Sequence, residues 1–544
     1  MASTSDQKTF DQKKHVEMIE NQQDVSQEKN IRVARKDRAA ELLRNANQAI
    51  VVSPEDDARI LKKIDLTILP ILLVVYFLQQ LDKSTLSYAS VFGLIQNANL
   101  HGQDYSWLGS IVYIAQLVMQ PIIAYFLVKL PTGKFAGLMV CCWGIILSCM
   151  AGARTYKSLL ATRFFLGAFE ASVAPTFVAI TQMWWRRREQ TNRNAAWYAM
   201  NGVTNMVGSL LAWGLGHINS SVLHSYQIIF LFCGLVTVVF SVVVFVYLPD
   251  SPVDAKFLND HEKLLAVERL RANQMGVDSN QWRWDHVTES LLDIKTWCWF
   301  ALIFSISIPS GGITTFGPLI VNSFGFDQFK TILLNIPFGA VQIIATMGGA
   351  ALATYLKKKG PVLALLCLPP IAGCVMLLCI EHTSDNRGPL LVGYYLISVY
   401  PGISPLIYSW SAQNTAGETK KKATTAVLFI GQSAGNIIGP HLYTTAEAPR
   451  YKRGLTSSLT LFIVIIILVA FTTLYLIILN KSHARKRVQV GKSSVVVDKS
   501  MMSTAETRAA AAVAEYQGED HDQIGEKAFD DETDLQNEDF IFIY

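Results

Sequence analysis

Residues 161–185, ATRFFLGAFEASVAPTFVAITQMWW, decide the fold class: they are apolar enough to span a bilayer, yet they contain Arg163 and Glu170. A charge near the middle of a bilayer costs about 2.5–3.5 kcal/mol on insertion scales, so an apolar segment seldom keeps one without a use. The spacing places both charges on one helix face, about 10 Å apart along the axis. That face must contact protein or a wet cavity. An alternative for Arg163 is snorkelling from a position near the interface.

The composition is also that of a membrane protein. Of 544 residues, 51% are hydrophobic and only 17% are charged, which fits neither a soluble multidomain protein nor a disordered one. The net charge of +4, without a basic stripe carrying aromatic residues, predicts no nucleic-acid partner. The cysteines lie almost wholly in apolar runs and read as core residues rather than disulfides or metal ligands. No nucleophile–base set, HExxH or phosphate loop occurs, so we expect no enzyme, cofactor or metal.

Apolar segments long enough for a tilted helix of about 20 residues recur along the chain. We place them at 66–93, 105–128, 135–153, 158–184, 195–217, 225–248, 297–321, 331–355, 361–380, 387–412, 423–445 and 456–480. This predicts an all-α membrane protein with twelve transmembrane helices, split six and six. The predicted parts are a disordered tail 1–60, a bundle 61–248, a linker 249–296 with surface helices, a second bundle 297–480 and a disordered tail 481–544.

Basic loops set the predicted orientation. Five basic groups fall on the side of the linker and both tails, so both termini should be cytoplasmic. Arg450, Lys452 and Arg453 would lie on the opposite side, and the other groups outweigh them. Within the N-terminal tail, residues 32–44 are able to form a short amphipathic helix.

Several motifs resemble the fungal allantoate permease family, which belongs to the anion:cation symporters of the major facilitator superfamily. They are LKKIDLTILP, LDKSTLSYA, RFFLGAFEASVAP, MWWRRREQ, LPDSP, GNIIGP, EAPRYKRG and the C-terminal DLQNEDF. The resemblance covers roughly residues 60–480 and implies the major facilitator fold, two pseudo-symmetric six-helix bundles that move by alternating access. One departure is KLPTGK, residues 129–134, which lacks the acid that usually precedes the basic residues of this loop.

Asp82 and Lys83 are adjacent charges late in the first apolar segment. Neighbouring helical residues point about 100° apart, so one is able to face a cavity while the other faces a helix. The alternative is that both cap the helix end in water. Related organic-anion symporters carry an acid and a base here and Arg and Glu in the fourth span. The resemblance therefore implies that Lys83 and Arg163 bind the substrate carboxylate and that Asp82 and Glu170 carry protons.

An ionised acid beside these bases competes with an anionic substrate, and protonation removes the competitor. Binding of substrate and proton then favour each other, which is the linkage that symport requires. The leading hypothesis is proton-coupled uptake at the plasma membrane of a carboxylate such as allantoate, ureidosuccinate, nicotinate or another vitamin precursor. An exporter of a carboxylated metabolite and a nutrient sensor that hardly transports are the alternatives. We expect a monomer whose partners are the substrate, protons and the lipid bilayer.

Further polar residues within the spans are candidates for the cavity wall. They are Tyr113, Asn201, Asn205, Gln432 and Asn436. Polar residues in membrane helices often only bond to neighbouring helices, and that alternative stands for each of them.

Overall fold

The computed structural model describes residues 52–91, 94–98, 100, 104–216, 218, 223–270, 273, 282–326, 328–443, 447, 449–489 and 531–544. Every regular element in these ranges is a helix, and they contain no β-strand. The predicted all-helical membrane fold is therefore confirmed. The helix predicted for residues 32–44 lies outside the described ranges.

The helices that precede the linker form the N-terminal bundle. They are α1 (Pro54–Thr67), α2 (Leu69–Val91), α3 (Asp104–Lys129), α4 (Thr132–Met150), α5 (Tyr156–Glu170), α6 (Val173–Trp184), α7 (Arg187–Val203), α8 (Ser209–Gly216) and α9 (Ser225–Tyr247). A short helix, Leu94–Asn97, follows α2, and a π-helical turn, Thr204–Gly208, joins α7 to α8.

The linker and the C-terminal bundle follow. The linker contains α10 (Asp260–Glu268) and α11 (Trp284–Leu292). The bundle consists of α12 (Ile294–Asn322), α13 (Gln328–Leu356), α14 (Gly360–Cys379), α15 (Arg387–Ile397), α16 (Ile403–Gln413), α17 (Glu418–His441) and α18 (Lys452–Gln489). Single 3₁₀ turns, Ser384–Asn386 and Tyr400–Gly402, precede α15 and α16.

Among the described residues, ten helical spans are long and apolar enough to cross a membrane. The two other predicted spans are the helical run α7–α8 and helix α17, both more polar in sequence. Both lie at the seam between the bundles, because α7 packs on α13 and α17 packs on α3. Part of each surface therefore contacts protein rather than lipid, which explains why hydropathy alone does not mark them.

The outer surface of the bundles is apolar. On α9, for example, Val239, Val242 and Val246 expose 60–70% of their surface. Contiguous exposed apolar side chains of this kind mark a surface that another phase must cover, and for ten long apolar helices that phase is the bilayer.

Arg269 fixes the linker to the N-terminal bundle. Its buried guanidinium bonds Asp57 of α1 at 2.9 Å and Glu189 of α7 at 2.7 Å. These two carboxylates raise the pKa of Arg269 against the opposing effect of burial. We call the end of the bundles on which α10 and α11 lie the linker end.

The structure differs from the sequence prediction at both ends of the membrane region. Helix α1 begins at Pro54, inside the predicted disordered tail, because Ser53 caps it by accepting from the N–H of Asp56 at 3.1 Å. At the other end α18 runs to Gln489. Residues 531–544 pack on the linker end with Phe540 and Phe542 buried, so this part of the predicted disordered tail is ordered. The burial of this segment depends on tertiary contacts, which cannot be predicted from its polar, acidic sequence.

Candidate functional site

A helix break positions Glu170, the last residue of α5. Pro175, in the next turn, has no N–H, so the carbonyl of Ala171 lacks its usual helical donor. The side-chain amide of Gln120 approaches this carbonyl at 3.4 Å, and that of Gln79 approaches the carbonyl of Glu170 at 3.3 Å. Amides from α3 and α2 therefore hold the break, and with it the position of the Glu170 carboxylate.

Lys83 of α2 and Glu170 form a buried ion pair. Their Nζ and Oε1 atoms are 3.2 Å apart. The Glu170 side chain has no solvent exposure, whereas that of Lys83 keeps 27%. The carboxylate is therefore sealed from solvent, while its ammonium partner stays partly accessible.

Asp82 points away from its neighbour, as adjacent helical positions require. The residue is fully buried, with Thr237 of α9 at 3.4 Å from its Oδ2 and Trp143 of α4 beside it. It therefore does not cap the end of α2 in water. Instead it lies between three helices of the N-terminal bundle and interacts electrostatically with Glu170.

Arg163 lies on α5 and is only 3% exposed, so it does not snorkel to an interface. It interacts electrostatically with both Asp82 and Glu170. The structure thus brings together all four charged residues that the sequence singled out. We call Asp82, Lys83, Arg163 and Glu170 the charged site.

Aromatic rings pack across the seam between the charged site and the linker end. Tyr76 and Trp197 have ring centroids 4.9 Å apart within the N-terminal bundle. Tyr198 of α7 faces Tyr408 of α16 at 6.2 Å, and Tyr408 stacks on Phe429 of α17 at 5.1 Å. The contact of Tyr198 with Tyr408 joins the two bundles on the linker side of the charged site.

Asn201 and Asn205 lie at the seam, where both bond to protein. The Asn201 amide donates to the Tyr76 hydroxyl at 3.3 Å and to the carbonyl of Tyr198 at 3.0 Å. The Asn205 amide donates to the side-chain carbonyl of Gln342 on α13 at 3.0 Å. The structure therefore uses both as links between elements, and their contact with substrate stays a prediction.

The remaining candidates are Tyr113, Gln432 and Asn436. Tyr113 is half-buried on α3. Gln432 and Asn436 are half-buried on α17, and the backbone of Asn436 lies so close to Gly311 that a Cβ on that glycine would come within 3.0 Å of it. Their roles in binding stay predictions.

Sequence reasoning missed the polar residues that support the charged site. Gln79, Trp143 and Thr237 contact its residues or their backbone, Gln120 contacts the carbonyl of Ala171 next to Glu170, and Gln342 holds Asn205 across the seam. The glutamines carried a signal, since each interrupts an apolar segment that predicts a membrane helix. Trp143 carried none, because an indole is ordinary in such a helix.

Two bundles of membrane helices, one of which encloses a cluster of charged side chains, are typical of secondary membrane transporters. The sequence profile of the Major Facilitator Superfamily matches residues 72–440. The chain therefore belongs to the major facilitator superfamily, and the resemblance noted from its motifs is confirmed.

Relatives span most of its length. The chain is 36% identical to the thiamine pathway transporter THI73 of Saccharomyces cerevisiae over 73% of its own length and 76% of that protein. It is 29% identical to the allantoate permease of the same yeast, over 84% and 85% of the two chains. The crystal structure of the human organic anion transporter MFSD10 has the same fold, with a TM-score of 0.55 at 14% identity, covering 74% of this chain and 99% of that one.

Proposed function

We propose that this transporter takes up a small organic anion together with protons. The observation that carries the proposal is the buried Lys83–Glu170 pair, with Arg163 beside it. While Glu170 is ionised, it occupies the Lys83 ammonium. When Glu170 takes a proton, the ammonium becomes free to bind the carboxylate of a substrate.

The cost of burial favours this coupling. A buried charge without a partner costs several kcal/mol, so the Glu170 carboxylate, which has no exposure, needs either the Lys83 ammonium or a proton. An anionic ligand that takes the ammonium therefore favours protonation of Glu170. Arg163 adds a second positive charge within the same site, and its planar guanidinium suits two-pronged binding of a carboxylate. Asp82, packed against Trp143, is the second candidate for carrying a proton.

The names of relatives support the substrate class. One relative is named an allantoate permease and another, 26% identical over 74% of this chain, a high-affinity nicotinic acid transporter. Both named compounds are carboxylic acids. Candidates for this chain are allantoate, ureidosuccinate, nicotinate and other vitamin precursors.

The proposed location is the plasma membrane, with the linker end in the cytoplasm. Basic residues of the linker end, among them Lys63, Lys134, Arg186 and Arg193, are what the positive-inside rule predicts for a cytoplasmic face. In this orientation the described conformation has its cytoplasmic side closed by the aromatic rings.

Uptake into proteoliposomes with an imposed pH gradient tests the proposal. A panel of radiolabelled carboxylates is offered to the parent protein and to Glu170→Gln. We expect the parent to accumulate its substrate only with acid outside, and Glu170→Gln to exchange substrate without pH-driven accumulation. Arg163→Ala should lose substrate binding.

The matched control is Glu262→Gln, which removes an acid from the Lys63–Glu262 pair, 2.6 Å long, at the linker end. It should leave accumulation unchanged. Unaltered dependence on pH in the Glu170→Gln protein would refute the role of this residue. Loss of substrate only from preloaded vesicles would favour the exporter, and binding without flux the sensor.

A further inference from the structure

Residues 531–544, DETDLQNEDFIFIY, run along the linker end as a non-helical segment. Most of it is buried, although eight of the nine residues before the first phenylalanine are polar or acidic. The buried members include Thr533, Asp534, Asn537, Asp539, Phe540, Phe542 and Ile543. A segment this polar reaches such burial only where a complementary surface receives it.

Side chains of the C-terminal bundle form hydrogen bonds with the backbone of this segment. The amide of Asn480 on α18 both donates to the carbonyl of Phe542 and accepts from its N–H, each at 2.8 Å. The Asn414 amide likewise donates to the carbonyl of Ile543 at 2.9 Å and accepts from its N–H at 2.8 Å. The indole of Trp410 adds a bond of 2.7 Å to the carbonyl of Ile543. These contacts fix both the register and the direction of the segment.

An acid anchors the other end of the segment. Asp534 lies against the ammonium groups of Lys295 and Lys420, the second at 3.1 Å, and accepts from the N–H of Ala416 at 3.1 Å. Burial opposes its ionisation, but the two lysines outweigh burial and lower the pKa of Asp534 to about 2. The receiving surface therefore selects an acidic residue at this position.

The segment also reaches the N-terminal bundle. Arg187, at the start of α7, donates from Nη1 to the carbonyl of Ile541 at 3.1 Å. Its guanidinium carbon lies 4.2 Å from the centroid of the Phe540 ring. The segment is thus bonded to α16 and α18 on one side of the seam and to α7 on the other.

The same part of the seam is closed by direct contacts between the bundles. The amide of Gln182 donates to the carbonyl of Ala412 at 2.9 Å, and the hydroxyls of Thr191 and Ser409 are 2.8 Å apart. The amide of Gln413 donates to the carbonyl of Arg187. Opening this end requires these pairs to separate, and Arg187 with them.

We propose that residues 531–544 form a clasp, an intramolecular ligand of the linker end that holds this end closed. The seam cannot part there while Phe540 and Ile541 remain on Arg187 and the rest of the segment remains on the C-terminal bundle. Release of the clasp from Arg187 accompanies each opening of the linker end. The proposal rests on the transporter fold and not on the identity of the substrate or its coupling to protons.

Thiol labelling at the seam tests the clasp without any substrate. Ser409→Cys is introduced into a full chain whose native cysteines are replaced, and its reaction with a maleimide is timed in detergent. The compared proteins are the full chain, a chain that stops after residue 530, and Phe540→Ala. Truncation should speed labelling about 5- to 30-fold, the factor that one or two kcal/mol produces. Phe540→Ala should give a smaller increase.

Two controls separate release of the clasp from a loss of structure. Gln536→Ala removes an exposed side chain of the segment that bonds Glu289 of the linker rather than the seam, and it should label at the parent rate. A synthetic peptide of residues 531–544, added to the truncated protein, should restore slow labelling. Equal labelling rates in the truncated and full chains, or no response to the peptide, would overturn the proposal.

If the truncated chain does not fold, a double-mutant cycle of Phe540→Ala and Arg187→Ala tests the clasp instead. Because the two residues contact each other, the second substitution should increase the labelling rate by a smaller factor when the first is already present. Fully additive effects on the labelling rate would contradict a clasp that acts through Arg187.

Discussion

Replacing Lys83 by Met should destabilise the protein more than replacing Lys83 and Glu170 together. The Lys83→Met protein keeps the Glu170 carboxylate, which has no exposure of its own, without its ammonium partner. At 3.2 Å and an effective dielectric constant of about 20, the attraction between the two charges is about 5 kcal/mol. Desolvation offsets much of this, and removal of one partner of a buried pair typically costs about 3–5 kcal/mol.

We expect a loss of about 3 kcal/mol for Lys83→Met. Glu170→Gln should cost less, because the Lys83 side chain keeps 27% of its exposure. In the double variant neither position of the Lys83–Glu170 pair carries a charge, so its stability should lie above that of Lys83→Met. The coupling free energy of the cycle should then be about 2 kcal/mol in size. The assay is equilibrium denaturation in one detergent at one pH for all four proteins, followed by tryptophan fluorescence.

The exposed pair formed by Lys134 and Asp250, 3.6 Å apart at the linker end, is the matched control. Lys134→Met should change stability by less than about 1 kcal/mol, since exposed pairs contribute little. The reasoning fails if the two charged-site substitutions are additive within about 0.5 kcal/mol, because that result means the pair does not interact.

Gly202→Ala should hinder contact of the bundles, because its new Cβ would lie 2.5 Å from the carbonyl oxygen of Gly339 on α13; a loss of about 1–3 kcal/mol in thermal unfolding is expected. Gly214→Ala, with open space around its Cβ, is the control and should be neutral or stabilising. Binding of the clasp peptide should strengthen as the pH falls from about 7 to 4. Burial raises the pKa of Asp531 from an ordinary 3.8 to about 6, so in this range the bound peptide takes up a proton that the free peptide does not. Peptide carrying Asp531→Asn should bind with a flatter dependence on pH in fluorescence titrations; an unchanged slope would contradict this assignment.

The four residues of the charged site could be singled out from the sequence, but which of them form an ion pair could not. Arg163 and Glu170 stand out because charges are expensive in an apolar segment, and their spacing places them on one helix face. The pairing of Glu170 with Lys83, rather than with Arg163 alone, depends on how α2 lies against α5. That choice is made by the break after Glu170, where Gln79 and Gln120 hold the backbone.

Two seam helices show the limit of hydropathy. Helices α7 and α17 were predicted as spans, yet they lack the apolar length of the other ten. Asn205, in the π-helical turn that follows α7, bonds Gln342 across the seam and so is satisfied by protein. Hydropathy measures the preference of a segment for lipid. A helix that is enclosed by other helices does not need an apolar surface, so its hydropathy is a poor guide.

The sequence by itself determined the helical membrane class, the family and the four charges, because each depends on local composition or on motifs. Tertiary structure decided which charges meet, where the aromatic rings close the seam, and that residues 531–544 are bound rather than free. The physical reason is that burial of a polar or charged group is favourable only with a partner, and these partners are contributed by helices far apart in the chain.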